Sequence, residues 1–176
     1  DRLEEDDLKN NTLIAFASDH GLAVGQHGLL GKQNLYEHSV RAPLLFAGPG
    51  VPKGVRSTAL CYLGDIFPTL LELAAVDAES DDSYVTRFKS LKSAFSGAGS
   101  RSQIITAYKD CQRALITERM KLIAYPKINK LQLFDLKEDP HEINDLSEKA
   151  AHSEALWQHT RDLEMRMDRL VKVIPL

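Results

Sequence analysis

Three features of this 176-residue chain point to an α/β protein, in which a mostly parallel sheet with helices is followed by a small antiparallel sheet with a C-terminal helix. Two short apolar runs, residues 12–16 (TLIAF) and 44–47 (LLFA), suit strands buried on both faces. Four β-prone runs follow at 104–108, 113–117, 121–125 and 132–135, close enough for an antiparallel meander. Leu156, Leu163, Met167 and Leu170 then repeat at helical spacing, so a helix over about 151–171 lays one stripe on a sheet.

Taken in order, residues 1–11 read as the end of a charged amphipathic helix, with Leu3 and Leu8 as its apolar positions. It has neither N-cap nor preceding strand, which predicts a chain that continues upstream. After the first strand, residues 18–35 hold four glycines and form a loop rather than a regular element. Pro43 sits where the second strand starts without losing a ladder bond, and Gly48-Pro49-Gly50 stops it. Residues 56–62 look extended. Residues 65–76 place Ile66, Leu70, Leu73 and Ala74 on one helical face, with Pro68 in the first turn. Turn-rich stretches at 77–83 and 96–102 flank a basic amphipathic segment at 84–95. The chain therefore divides into an α/β part at 1–76, a linking region with a short helix at 77–103, and a small sheet with a terminal helix at 104–176.

Composition excludes several classes. The chain is 43% hydrophobic with a net charge of −3, which rules out disorder. Twenty-two Lys and Arg against 25 Asp and Glu give no basic face for nucleic acid. No apolar run approaches the ~20 residues of a membrane span. Cys61 and Cys111 make neither a disulfide framework nor a zinc motif, and read as two buried thiols or one bridge.

The chemistry concentrates behind the first strand. Asp19-His20-Gly21 follows it directly, where ligands of open α/β sheets bind. The carboxylate and imidazole either face a metal ion together or simply cap and pack a loop. Gly21 lets the backbone turn away sharply. His27 and Lys32 share the glycine-rich loop. A lysine ammonium suits a tetrahedral oxyanion as a point charge. His27 either donates to the same anion or a leaving-group oxygen, or is a loop histidine.

These residues lie in a longer pattern. Ser18–Gly21 (SDHG), 25–32 (GQHGLLGK), 36–44 (YEHSVRAPL) and 48–50 (GPG) together resemble the sulfatases of the alkaline-phosphatase superfamily. Residues 65–76 are similar to that family's D-x-x-P-T-L-L-x-L-A helix. Residues 113–125 resemble its R-A-x-R-T-x-x-x-K-L-I strand pair, with Ile116 in place of Arg. Residues 131–147 resemble L-Y-D-L-x-x-D-P-x-E-x-x-N-L, with Phe134 for Tyr and Asp145 interposed.

The resemblance implies part of an alkaline-phosphatase-like sandwich and hydrolysis of sulfuric esters. It implies Asp19 and His20 as ligands of a divalent cation, generally calcium, Lys32 as a sulfate contact, and His27 as a further pocket residue acting on substrate. Arg41 and Glu37 read as structural, Arg41 tying loop to sheet through a carboxylate. Asp139-Pro140-His141-Glu142 reads as a turn in which Glu142 satisfies backbone donors. The family's C-x-P-S-R or S-x-P-S-R motif, source of its formylglycine nucleophile, is not in this sequence. Asp6-Asp7 and Asp81-Asp82 read as solvated charge, not as the paired metal aspartates.

The implied whole is a sulfatase whose C-terminal portion is this chain, partnered by an upstream portion with the formylglycine. A phosphonate or phosphate ester hydrolase of the same superfamily, or a non-catalytic binding module, are the alternatives. An uncovered sheet edge predicts association with the upstream portion or with itself. By resemblance the compartment is periplasmic, secreted or lysosomal.

Overall fold

The computed structural model describes residues 2–77, 87–98 and 101–173, with the side chains of the terminal helix described through residue 168. Along the chain the elements are α1 (Arg2–Glu5), β1 (Ile14–Ala17), β2 (Ala23–Val24), β3 (Leu30–Gly31), α2 (Glu37–Val40), β4 (Leu44–Ala47), α3 (Ile66–Leu73), β5 (Gln103–Tyr108), β6 (Gln112–Thr117), β7 (Met120–Tyr125), β8 (Lys130–Asp135) and α4 (Ser153–Val173). They fall into two units: Asp1–Asp19 with Ala42–Ser102, and His20–Arg41 with Gln103–Leu176. The glycine-rich loop thus belongs by its contacts with the C-terminal sheet, although the linear division placed it with the N-terminal part.

In the first unit β1 and β4 pair antiparallel, Ile14 opposite Ala47 and Phe16 opposite Leu45. The parallel sense expected for these strands is corrected here. An apolar run reports burial and carries no information about strand direction. Burial on both faces is also corrected. Phe46 meets the Phe95 ring edge-on at 5.7 Å on one face. The other face, with Ile14, Phe16 and Leu45 at 46, 59 and 57% exposure, is bare within this chain.

Beyond β4, a buried carboxylate organises the unit. Asp65 accepts from the Tyr62 and Lys89 amides at 2.7 and 2.9 Å, and from both terminal nitrogens of Arg101 at 2.5 and 2.7 Å. Thr69 donates to the Asp65 carbonyl at 2.6 Å and accepts from the Leu91 amide at 2.8 Å. Pro68 lies in the first turn of α3, where its missing N–H costs nothing. Residues 56–61 form no ladder. Cys61 and Cys111 are free, and each is part-exposed rather than buried. Asp6 pairs with Arg2 at the surface, as solvated charge should; Asp81-Asp82 and most of the basic segment lie outside the described residues.

The second unit is a four-stranded antiparallel meander, β5-β6-β7-β8. The alternation of a pleated strand sends successive residues to opposite faces. Leu115, Leu122 and Leu133 face α4, where Leu163, Leu156 and Met167 complete the layer; the fourth predicted stripe residue, Leu170, lies beyond the described side chains. Ala114, Ile123 and Phe134 face the other way and are covered by Leu35, Tyr36 and Val40 of the loop segment. The sheet is therefore sandwiched between a helix and a loop. Its β7–β8 connection is a 3-10 turn, Pro126–Ile128, closed by Asn129 in the left-handed region.

Leu133→Ala removes a fully buried side chain from the helix layer. It should cost about 2–5 kcal/mol of stability, read as a lower midpoint in urea unfolding. Asp135 supplies a pH test. Arg119 donates to it at 2.9 and 2.7 Å, and this contact, more than any other, holds its carboxyl below the usual aspartate range. The unfolded chain binds that proton more tightly, so the pair adds stability above about pH 4 and loses it as pH falls through the lowered value. Asp135→Asn should unfold with a shallower dependence on pH below about 4 than wild type does.

Candidate functional site

The loop after β1 is more regular than its glycines predict. β2 and β3 form a two-residue hairpin, Ala23 opposite Gly31 and Val24 opposite Leu30. What permits the turn is left-handed backbone at Gly25, His27 and Gly28, with φ of 116, 54 and 70°. Sequence periodicity does not detect strands this short. Gly21 serves a different purpose from the sharp turn expected of it. A Cβ there would overlap the His38 carbonyl oxygen, and the Gly21 amide donates to the Ser39 carbonyl at 2.8 Å. The glycine thus permits close approach to α2.

The four residues singled out in sequence separate into two arrangements. Asp19 is exposed at the end of the first unit's β1 segment. His20 and Lys32 meet, Nζ lying 2.5 Å from Nε2. His20 Nδ1 lies 2.8 Å from the Gly21 carbonyl. A carbonyl only accepts, so Nδ1 carries the proton and Nε2 the lone pair that faces Lys32. That tautomer is the one a metal-ligating Nε2 requires. Among the described residues, no three His, Cys, Asp or Glu side chains gather as a metal site.

His27 stands apart from that pair. Its ring stacks on Tyr36 with centroids 4.0 Å apart and planes 6° from parallel, and its Nε2 donates to the His141 carbonyl at 3.0 Å. His38 lies 5.7 Å from it. Burial, then the neighbouring His27 and Lys121, hold the His38 imidazole below the usual histidine range.

Beneath these rings is a cluster the sequence did not reveal. Lys121 of β7 is fully buried, with its ammonium 3.0 Å from Glu37 and 2.8 Å from Glu142. Glu142 in turn accepts from the Glu37 amide at 2.6 Å, so it serves a backbone donor as expected, but one 105 positions away rather than in its own turn. Burial pushes its carboxyl above the usual glutamate range. Arg41 does not tie loop to sheet; it is exposed and makes no ion pair among the described residues. Lys121 does that work because it projects inward from a central strand. The available signal was a lone lysine in phase with Ile123 in an otherwise apolar run.

Residues 25–171 match the family described as N-sulphoglucosamine sulphohydrolase, C-terminal. The chain belongs to this family. Relatives include a choline-sulfatase of Rhizobium meliloti, 34% identical over 84% of this chain and 29% of its own length. Arylsulfatase K of Gallus gallus is 32% identical over 84% of this chain and 30% of its own. A solved protein in complex with its substrate D-glucosamine-2-N,6-O-disulfate superimposes with a TM-score of 0.82 at 28% identity, over 94% of this chain and 36% of that one. A phosphonate monoester hydrolase of Agrobacterium radiobacter, at 22% identity and a TM-score of 0.71 over 95% of this chain and 37% of its own, shares the fold. The chain thus spans about 30% of the length of these curated relatives. Its fold is the sulfatase α/β fold, with the small antiparallel sheet and terminal helix in place.

Lys121→Ala leaves the buried Glu142 carboxylate and the part-buried Glu37 carboxylate without their cation. Stability at pH 7 should fall by about 3–5 kcal/mol in urea unfolding. The deficit should shrink as pH is lowered, because burial already raises the Glu142 carboxyl and protonation removes its uncompensated charge.

Proposed function

We propose that this chain is the C-terminal portion of a sulfuric ester hydrolase, supplying part of its divalent-cation and sulfate site. The observation that carries the reading is the Lys32–His20 contact, which brings a cation and an imidazole lone pair together in the segment whose sequence resembles the sulfatases. Asp19 and His20 would hold the cation, most simply calcium, which when bound draws charge from the sulfate oxygens. Lys32 sets its ammonium toward the same oxyanion and offsets the charge that grows as the ester bond breaks. His27 meets the leaving-group oxygen. The formylglycine nucleophile belongs to an upstream portion, which packs on the bare face of Ile14, Phe16 and Leu45.

The same site suits a phosphonate or phosphate ester, because both substrates present a tetrahedral oxyanion. The fold shared with phosphonate monoester hydrolases keeps that second reading in play. A binding module is the third. Two donors alone hold calcium weakly, so a large calcium-induced rise in the melting temperature of this chain by itself would favour the module over the enzyme portion.

The deciding assay compares sulfate and phosphonate monoesters on the full-length parent and its Lys32→Ala variant. The expected result is faster turnover of the sulfate ester and a fall of roughly 10²-fold or more in the variant, about 3 kcal/mol of barrier. Its melting point should be nearly unchanged, since Lys32 is exposed. An unchanged rate removes Lys32 from the site, and preference for the phosphonate selects the second reading.

A further inference from the structure

The turn at 139–142 does more than close a loop. We propose that it is a positioning element for His27, fixing which ring nitrogen meets the substrate. The inference rests on the proposed place of His27 in the substrate site.

Two anchors hold the ring, and both run back to the sheet. The first is the His141 carbonyl, which accepts from Nε2 at 3.0 Å. His141 cannot drift, because the next residue is locked. Glu142 is 2% exposed, faces Lys121 at 2.8 Å and accepts the Glu37 amide at 2.6 Å. The second anchor is the Tyr36 ring, stacked on His27. Its hydroxyl donates to Gln132 of β8 at 2.9 Å, where Tyr125 of β7 also donates at 2.8 Å. One contact fixes the ring plane and the other fixes the rotation within it.

The chemical consequence follows from the acceptor. A carbonyl has no proton to give, so the neutral ring carries its proton on Nε2. Nδ1 is then the nitrogen that bears the lone pair. It accepts a proton or hydrogen bond from a substrate group, and it donates only once the ring is protonated there. A His27 that assists a leaving-group oxygen therefore delivers a proton from Nδ1 while Nε2 stays on His141.

His27 and Glu142 both adopt left-handed φ, 54° and 56°, as do the turn residues Lys109 and Asn129, so each end of the contact sits in a tight turn.

The test is histidine 15N NMR on the 176-residue chain at pH 8, where the imidazoles are neutral. The expected spectrum shows His27 in the Nε2–H tautomer, with an excess about fivefold or more above the one a free imidazole already has, the gain that a hydrogen bond of ordinary strength sustains. Glu142→Ala should lower that preference to the severalfold Nε2–H excess of an unconstrained imidazole. Glu142→Gln, which still accepts the Glu37 amide, should restore it. A wild-type His27 in the Nδ1–H form, or a folded Glu142→Ala chain with the tautomer unchanged, overturns the proposal. Should Glu142→Ala fail to fold, Pro140→Gly loosens the same turn without touching the buried ion pairs. A ratio reduced to that of a free imidazole in that folded variant supports the proposal, and an unchanged one overturns it. Hydrolysis by the full-length parent separates the two failures. With the tautomer as stated, unchanged turnover by His27→Ala overturns the substrate role itself, whereas a wrong tautomer overturns the turn's role alone.

Discussion

A buried ammonium dictates how the C-terminal unit is assembled. Lys121 is the second residue of β7, a central strand, and sits between Ile116 and Phe134 in register with no exposed surface. An ammonium in such a place costs several kcal/mol unless carboxylates compensate it. Those carboxylates come from outside the sheet: Glu37 from the segment after the glycine-rich loop, and Glu142 from the turn after β8. The sheet therefore folds with its lysine buried only if both segments lie on it. Leu35, Tyr36 and Val40 then fill the rest of that face. Placing the loop is the same event as neutralising the lysine.

Everything proposed for the site depends on this arrangement. His20, His27 and Lys32 lie on a hairpin with little buried surface, and Val24 and Leu30 at 69 and 85% exposure add nothing to its packing. Short isolated hairpins are marginal in water. The hairpin holds its shape because its base is clamped, by Gly21 against α2 at one end and by Leu35 in the core at the other. Precision at the tip is inherited from the sheet.

Some of this was legible in sequence, and the physical reason is burial contrast. The meander alternates between two covered faces, so its strands announced themselves within a residue or two. The stripe of Leu156, Leu163 and Met167 did the same for α4. The Asp-Pro turn was also readable, because it is a local rule; the backbone donor that Glu142 serves was not, because it lies 105 positions away. Strand sense was not, since apolar character does not encode direction. Nor was the β2–β3 hairpin, which is shorter than one period of any pattern. Lys121 was hidden by its own side chain. A lysine in a strand reads as solvent-facing, and only partners 84 and 21 positions away explain it otherwise. Assigning the tie to Arg41 identified the right kind of interaction on the wrong cation.

The two histidines of the loop show how backbone placement selects chemistry from identical side chains. His20 gives its Nδ1 proton to the carbonyl of Gly21, its own neighbour, and so turns Nε2 outward. His27 gives its Nε2 proton to a carbonyl that belongs to the far turn, and so keeps Nδ1. The first bond is local and survives any motion of the loop. The second exists only while the turn and the loop are both seated on Lys121. A lone pair at Nε2 of His20 is thus a property of a dipeptide, while one at Nδ1 of His27 is a property of the folded unit. Ligation of a cation, which needs only a correctly protonated ring, suits the first. Handling a proton, which needs the ring held in one orientation as its charge changes, demands the second.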